Sequence, residues 1–283
     1  KEQSGELTGL IRLAMFHLAD AHVFCTEEQL GGEFRKVVEL INYIMESIGI
    51  ADAISFRASL RDPSSKKYVD NDQMWEQSES LLIEILDDMS VQYEKGIGDA
   101  AFYGPKLDVQ MRNVMGKEET VFTVQIDFCL PSRFDLEYTS SSGEKRQPVA
   151  IHRSSIGCYE RTLAFLIEYY YGAFPLWFAP IQARILTITE RQIDYGAELR
   201  DALLDEGLRG ELDSRNETIG KKLREARNLR IPYLLIIGDD ELRERTVTVR
   251  NRDTGNQHEL PMDDFVSRLR DEDRKRSLTL QIP

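Results

Sequence analysis

The stretch from Pro148 to Thr162 gathers side chains that could do chemistry together. Val149–Ile151 is a short apolar run of strand type, so His152 falls at its mouth. A helical pattern begins near Ser155, with Ile156, Leu163, Leu166 and Ile167 as candidates for its buried face. Such a junction would aim an imidazole (His152), a thiol (Cys158) and a guanidinium (Arg161) into one cavity. Backbone N–H groups at a helix start beside an arginine suit a phosphate. The plainer reading is a buried helix with one core histidine and a surface arginine. A second concentration of charge runs from Arg215 to Arg230, where Arg215, Lys221, Lys222, Arg224, Arg227 and Arg230 outnumber Glu217 and Glu225. Gly220-Lys221 within it is not a P-loop, because the upstream glycine is absent.

The elements that must position these groups follow from periodicity. Leu10–Phe16 and Ala21–Phe24 are apolar, strand-compatible runs that read as a hairpin. Thr26 caps a helix whose period runs through Phe34, Val37, Val38, Ile41, Ile44 and Met45 to about Ile48. A strand at Ala53–Leu60 and a loop lead to an amphipathic helix over Met74–Asp88, with Trp75, Leu82, Ile85 and Leu86 on its apolar side. Leu107–Met111, Val121–Phe128 and Asp135–Tyr138 read as strands, with a turn at Pro131–Phe134. After Phe174–Pro180 the pattern alternates: strands at Ala183–Ile188, Arg209–Asp213, Tyr233–Gly238 and Thr246–Arg250, helices at Asp194–Glu206, Ile219–Leu229 and Met262–Arg274. That alternation predicts a compact α/β domain.

The 283 residues suffice for one large or two ordinary domains, and 41% hydrophobic with 30% charged residues is ordinary for a soluble chain. No apolar run reaches membrane-spanning length, the start does not read as a signal peptide, and Lys1 is not expected to be a natural start. Three cysteines without a Cys-x-x-Cys pair predict free thiols in a reducing, cytoplasmic setting. A net charge of −13 argues against nonspecific nucleic-acid binding, while a local basic patch leaves RNA open.

Four segments, in order, resemble the class II aminoacyl-tRNA synthetases, and within them the threonyl-tRNA synthetase family. They are Glu2-Gln-Ser-Gly with Asp20-Ala-His22, Ala101-Phe-Tyr-Gly-Pro-Lys106, Val124-Gln-Ile-Asp-Phe128 with Leu130-Pro-Ser-Arg133, and Ile151-His-Arg with Glu160-Arg161. Arg215-Asn-Glu-Thr-Ile-Gly220 and Pro232–Asp239 resemble the anticodon-binding domain of the same family. The resemblance implies the C-terminal part of such an enzyme. Its fold would be α+β, with a class II catalytic domain (mixed, mostly antiparallel sheet with helices) over residues 1–178 and an α/β anticodon-binding domain over 179–283.

The same resemblance implies ATP-dependent activation of threonine to an adenylate and its transfer to tRNA(Thr), with magnesium accompanying ATP, a catalytic zinc, and a homodimer in the full-length protein. It makes His22 and His152 two zinc ligands, the family's third being a cysteine upstream of Lys1; Cys25 is a poor substitute, because residues three apart on a strand face opposite ways. Asp20 and Gln125 match positions that hold the threonine ammonium group and the metal-bound substrate, and a carboxylate facing an ammonium is charge-assisted. Tyr103 and Lys106 match pocket groups near the threonine hydroxyl, and Cys158 is pocket lining. Arg161 matches the phosphate-clamping arginine of the third class II motif, and Glu2 the glutamate that reads the adenine amino group. Asn216, Glu241 and Arg250 match residues that contact anticodon bases.

One segment departs from the family pattern. Where Arg-Val-Arg-Gly-Phe is usual, this chain has Arg12-Leu-Ala-Met-Phe16, so Ala14 replaces a phosphate-side arginine, Met15 a glycine, and His17 a small hydroxyl residue. His17 reads as a surface loop residue that could offset part of the lost charge when protonated. Two further readings therefore stay open: a non-catalytic tRNA-binding or regulatory paralogue, and a synthetase with an altered pocket.

Overall fold

The computed structural model describes residues 4–283, so Glu2 lies outside the described residues. The chain divides into two compact units, residues 1–165 and 166–283.

In the first unit the order is β1 (Leu18–Cys25), α1 (Glu27–Ser47), β2 (Ile54–Leu60), α2 (Asp72–Asp88), β3 (Tyr93–Ile97), β4 (Lys106–Arg112), β5 (Glu118–Asp127), α3 (Leu130–Arg133), β6 (Tyr138–Thr139), β7 (Lys145–Arg146), β8 (Val149–Cys158) and α4 (Tyr159–Tyr170), the unit boundary falling within α4. Six strands form one sheet in the order β1-β8-β5-β4-β2-β3. Only β2 and β3 are parallel, and α2 makes the crossover between them. Thr26 caps α1 through a capping box with Gln29, and Leu30, Phe34, Val37, Val38, Ile41 and Met45 recur on its buried face. Asn71 caps α2, which buries Trp75, Leu82, Ile85 and Leu86. Trp75 meets Phe128 edge to face at 5.5 Å and donates its indole N–H to the Val69 carbonyl.

Three sequence expectations change here. Leu10–Phe16 is not a strand: Thr8 and Arg12 form an isolated bridge around a turn, and Leu10, Met15 and Phe16 remain exposed. An apolar run without a sheet neighbour has no ladder to join, and β1 pairs with β8 instead. The strand expected at Asp135–Tyr138 shrinks to β6, because Asp135 adopts φ 50°, outside the strand region. The third change concerns the strand-to-helix junction. β8 continues to Cys158 and the helix begins at Tyr159, not at Ser155. At Gly157, φ is 72° and an added Cβ would fall 2.2 Å from the Val121 carbonyl oxygen, so close strand packing holds the extension. Ala164, Phe165 and Leu166 are buried, whereas Leu163 and Ile167 are exposed, which rotates the apolar face from the one expected.

The second unit contains β9 (Ala183–Thr187), α5 (Ile193–Asp205), β10 (Gly210–Asp213), α6 (Ile219–Asn228), β11 (Tyr233–Ile237), α7 (Asp239–Glu244), β12 (Thr246–Asn251), β13 (Gln257–Pro261) and α8 (Met262–Arg274). Its sheet order is β10-β9-β11-β12-β13; the first three strands are parallel and the last two antiparallel. One face buries Ile185, Leu235, Val247 and Val249 against Leu199 and Leu203 of α5 and Phe265 and Leu269 of α8. The other face packs Leu186 and Leu234 against Ala226 of α6.

Glu272 of α8 lies in this core, 3% exposed, accepting a hydrogen bond from the Tyr233 hydroxyl at 2.8 Å. Its Oε1 is buried without a hydrogen-bond partner among the described residues. Burial pushes its carboxyl above the usual carboxylate range. A raised folded-state value favours the protonated form, so this stabilising contribution is present below the unfolded value of 4.5 and fades as pH rises through the folded one. Glu272→Gln keeps the acceptor for Tyr233 and removes the buried charge. It should stabilise the protein by about 1 kcal/mol at neutral pH. Thermal unfolding of both proteins checks this, since the advantage should shrink toward pH 4.5; a variant melting lower than its parent at pH 7.5 would sink it.

Candidate active site and anticodon-side face

Strand register assembles the first unit's polar groups. His22 of β1 stands opposite His152 of β8, His152 opposite Gln125 of β5, and Gln125 opposite Lys106 of β4. Residues directly opposite share a face of the sheet, so one row carries imidazole, imidazole, amide and ammonium in turn. Asp20 lies on the same face two residues before His22, opposite Ser154, and is exposed. Tyr103, from the loop before β4, turns its ring toward His152 at 5.6 Å and donates its hydroxyl to Gln125 Oε1. The Gln125 Nε2–H donates to Thr123 Oγ1 at 3.0 Å, which fixes the amide's orientation. Burial raises the Tyr103 phenol above its ordinary value, with the Asp127 charge adding to it. Lys106 Nζ donates to both oxygens of Asp108 at 3.0 and 2.7 Å, and Ser59 Oγ donates to the same carboxylate at 2.6 Å. Lys106 is thus neutralised and held.

The two imidazoles meet with their Nδ1 atoms 2.9 Å apart. His152 Nε2 is 2.7 Å from Asp127 Oδ2, whose side chain is fully buried. An ionised carboxylate can only accept, so Nε2 carries the proton and the Nδ1 lone pair faces His22. Two imidazole nitrogens about 2.05 Å from one tetrahedral zinc stand about 3.3 Å apart. The observed pair is close to that spacing, and a carboxylate on the far nitrogen is the usual partner of a metal-binding histidine. Among the described residues no group of three or more His, Cys, Asp or Glu is arranged to hold a metal. Sequence reasoning did not assign Asp127 a role, although it stands two residues after Gln125 on a strand and so shares its face; period-two reading was the available signal.

Arg161 and Cys158 do not join this row. His152 and Cys158 are six residues apart along β8, roughly 20 Å at strand rise. Arg161 donates from Nε to the Ile11 carbonyl and from Nη1 to the Thr120 carbonyl, both at 3.3 Å. The buried Cys158 thiol is 3.4 Å from Glu160 Oε2. Glu160 also accepts the His17 backbone N–H at 3.0 Å and pairs with its Nδ1 at 2.6 Å. Those hydrogen bonds from His17 hold the Glu160 carboxyl down at about 2. His17 is therefore exposed yet tied to the first turn of α4, and the expected single cavity separates into a histidine end and an arginine end.

In the second unit, Asn216 is exposed in the loop between β10 and α6. Glu241 spends one oxygen on the Gly238 N–H at 2.8 Å and the other on Thr248 Oγ1 at 2.6 Å. Thr248 and Arg250 share a face of β12 opposite Ile236 and Leu234. Half of the expected basic patch is tied up from within. Arg215 pairs with Asp213 and Glu225, and Lys221 with Glu217. Lys222 is buried, donating to the carbonyls of Thr187 and Asp213 at 2.8 and 3.0 Å, and burial lowers its ammonium below the ordinary value.

Comparison with known proteins agrees with this architecture. Residues 1–170 match the family model described as the tRNA synthetase class II core domain (G, H, P, S and T), and residues 182–272 match the anticodon binding domain. A threonine–tRNA ligase of Clostridium perfringens is 48% identical over 269 residues, covering 95% of this chain and 42% of its own length. One from Anoxybacillus flavithermus is 47% identical, covering 97% and 43%. The crystal structure of the RNA binding domain of threonyl-tRNA synthetase from Cryptosporidium parvum superposes with a TM-score of 0.84 at 34% identity, over 96% of this chain and 67% of that one. The chain belongs to the class II tRNA synthetases, and within them to the threonyl-tRNA synthetase family, as its class II core and anticodon-binding regions. It spans about two-fifths of the length of the curated relatives it matches.

Proposed function

We propose that this chain carries the threonine-activating and anticodon-recognising parts of a threonine–tRNA ligase, with its functional domain boundary in the Phe174–Pro180 stretch. The observation that carries the reading is the row His22–His152–Gln125–Lys106, closed over by Tyr103 and bordered by Asp20. His22 and His152 would hold zinc, with Asp127 fixing the His152 tautomer; bound there, zinc would act as a Lewis acid on the amino acid's polar groups. Asp20 offers a carboxylate to an ammonium group, and Gln125 an amide locked between Tyr103 and Thr123. Cys158 lines the far end of β8 rather than the threonine end.

At that far end, Arg161 is a cation for an ATP phosphate, with magnesium supplied with the nucleotide; Glu2, outside the described residues, would read adenine. Ala14 stands where the family's second arginine is usual, and His17, three residues on, is tied to Glu160. Asn216, Glu241 and Arg250 would face the anticodon of tRNA(Thr), each on an unstacked base. A homodimer and a cytoplasmic location belong to the same reading; no helix among the described residues is long and apolar enough to cross a membrane.

Threonine-dependent ATP–pyrophosphate exchange, run on this chain and on one extended to the relatives' length, tests the assignment. Exchange that disappears in His152→Ala but survives His258→Ala supports it. An extended protein that binds tRNA(Thr) and never exchanges would instead make Ala14 the mark of a non-catalytic tRNA-binding paralogue. Exchange with a different amino acid would point to an altered pocket.

A further inference from the structure

The basic patch keeps cations that no carboxylate meets among the described residues. Arg227 and Arg230 at the end of α6, and Arg250 at the end of β12, form no ion pair among the described residues, in a unit where most other arginines do. All three line one cavity of about 130 Å³, together with Ile231, Leu234, Asn251, Arg252 and Gly255. By liquid-water volume of roughly 30 Å³ per molecule, that is room for about four waters, or for one phosphate group in their place.

The frame is rigid. Arg252 donates from Nη1 to the carbonyls of Phe174 and Arg230 at 2.8 and 3.0 Å, and its charge is met by Asp253. Asn251 Oδ1 accepts the N–H groups of Asp253 and Thr254, its Nδ2 donates to the Ile282 carbonyl, and the Gly255 N–H closes on the Asn251 carbonyl. Gly255, at φ 74°, leaves space beside Arg250: an added Cβ would lie 3.8 Å from Nη2. The carbonyl end of α6 contributes about half a negative charge, which opposes an anion, but three unpaired guanidinium groups outweigh it. Three guanidinium groups without an ion-pair partner among the described residues give this small space a positive potential in a chain of net charge −13, which favours an anion there.

We infer that this cavity is a phosphate site for the RNA backbone, holding a phosphodiester of the bound strand by Arg227 and Arg230 while Arg250 reaches the adjoining base. This rests on the tRNA-binding reading above. The position supports it: the cavity lies at the start of β11, with Gly238 and Glu241 at that strand's other end, so a strand of RNA crossing the β11–β12 face would meet both. Phosphate contacts position a nucleic acid without reading it, so the pair should add affinity and salt dependence but no sequence discrimination.

The test is binding of a fluorescent anticodon stem-loop of tRNA(Thr) across a salt series, to the parent chain and to an R227Q/R230Q double variant. Both residues are exposed, so folding is preserved, and circular dichroism checks it. The double variant should bind about tenfold more weakly at moderate salt. Its slope of log affinity against log salt should be shallower by about 1, with unchanged preference for the cognate over an anticodon-substituted loop. Arg250→Gln should reduce that preference. If the parent binds with preference and the double variant keeps the parent's slope, the phosphate site is wrong while the tRNA reading stands. Binding of inorganic phosphate to the cavity together with an unchanged RNA slope makes it a free-anion site and overturns the proposal equally. If the parent shows no preference at all, the tRNA reading fails and the proposal with it.

Discussion

Asp127→Asn should lower zinc affinity about 10–100-fold while leaving the fold intact. Asp127 Oδ1 accepts the N–H groups of Cys129 and Leu130 at 2.8 Å each, and Oδ2 faces His152 Nε2. An asparagine must keep its oxygen on the two N–H groups to hold the turn into α3. Its NH₂ then points at His152 Nε2, which has to become an acceptor, and the imidazole proton moves to Nδ1. That proton occupies the lone pair directed at His22, 2.9 Å away, where the metal would bind. Affinity measured by competition with a chromophoric chelator, in the protein at its relatives' length, gives the magnitude. Nitrogen-resolved NMR of the His152 ring gives the tautomer independently of any activity. Unchanged affinity with the proton still on Nε2 would defeat the argument.

The second large effect is expected at Gly104. A Cβ built there would fall 1.7 Å from the Ile126 carbonyl oxygen, a backbone atom of β5 that no rotamer change can move. Gly104→Ala must push the 101–104 turn off the sheet, and Tyr103 moves with it, away from Gln125. We expect a loss of about 3 kcal/mol or more in stability. Threonine-dependent exchange should fall at least about a hundredfold, since a displacement of about 1 Å at a positioned group carries that cost. Gly32 provides the contrast: it lies within α1 with nothing within 4 Å of an added Cβ. There alanine should be neutral or stabilising by up to about 1 kcal/mol. Urea unfolding of the two variants separates them, and equal midpoints would show that the close approach at Gly104 is relieved without cost.

Local signals were readable where local physics decides. Thr26 with Gln29 and the spacing of Phe34, Val37, Val38 and Ile41 specify α1 before any tertiary contact is known. The end of β8 was not readable, because the chain there chooses strand over helix to let Gly157 approach the Val121 carbonyl, a contact made across 36 positions of sequence. The site divides the same way. His22, Gln125, His152 and Lys106 are far apart in the chain, and only strand register puts them in one row. Family resemblance named those residues; it did not reveal that Asp127 orients one of them. The basic run from Arg215 to Arg230 divides for a related reason. Charge counted along a sequence says nothing of direction, and Lys222 points inward to two carbonyls.

β1 has one sheet neighbour among the described residues, and His22 stands on it. Its outward backbone groups have no strand partner among the described residues, and the same strand carries one of the two histidines. On the proposed reading, a strand added at that border would hold His22 in register with His152. If zinc binding depends on that register, reciprocity makes zinc favour the added strand by the same factor.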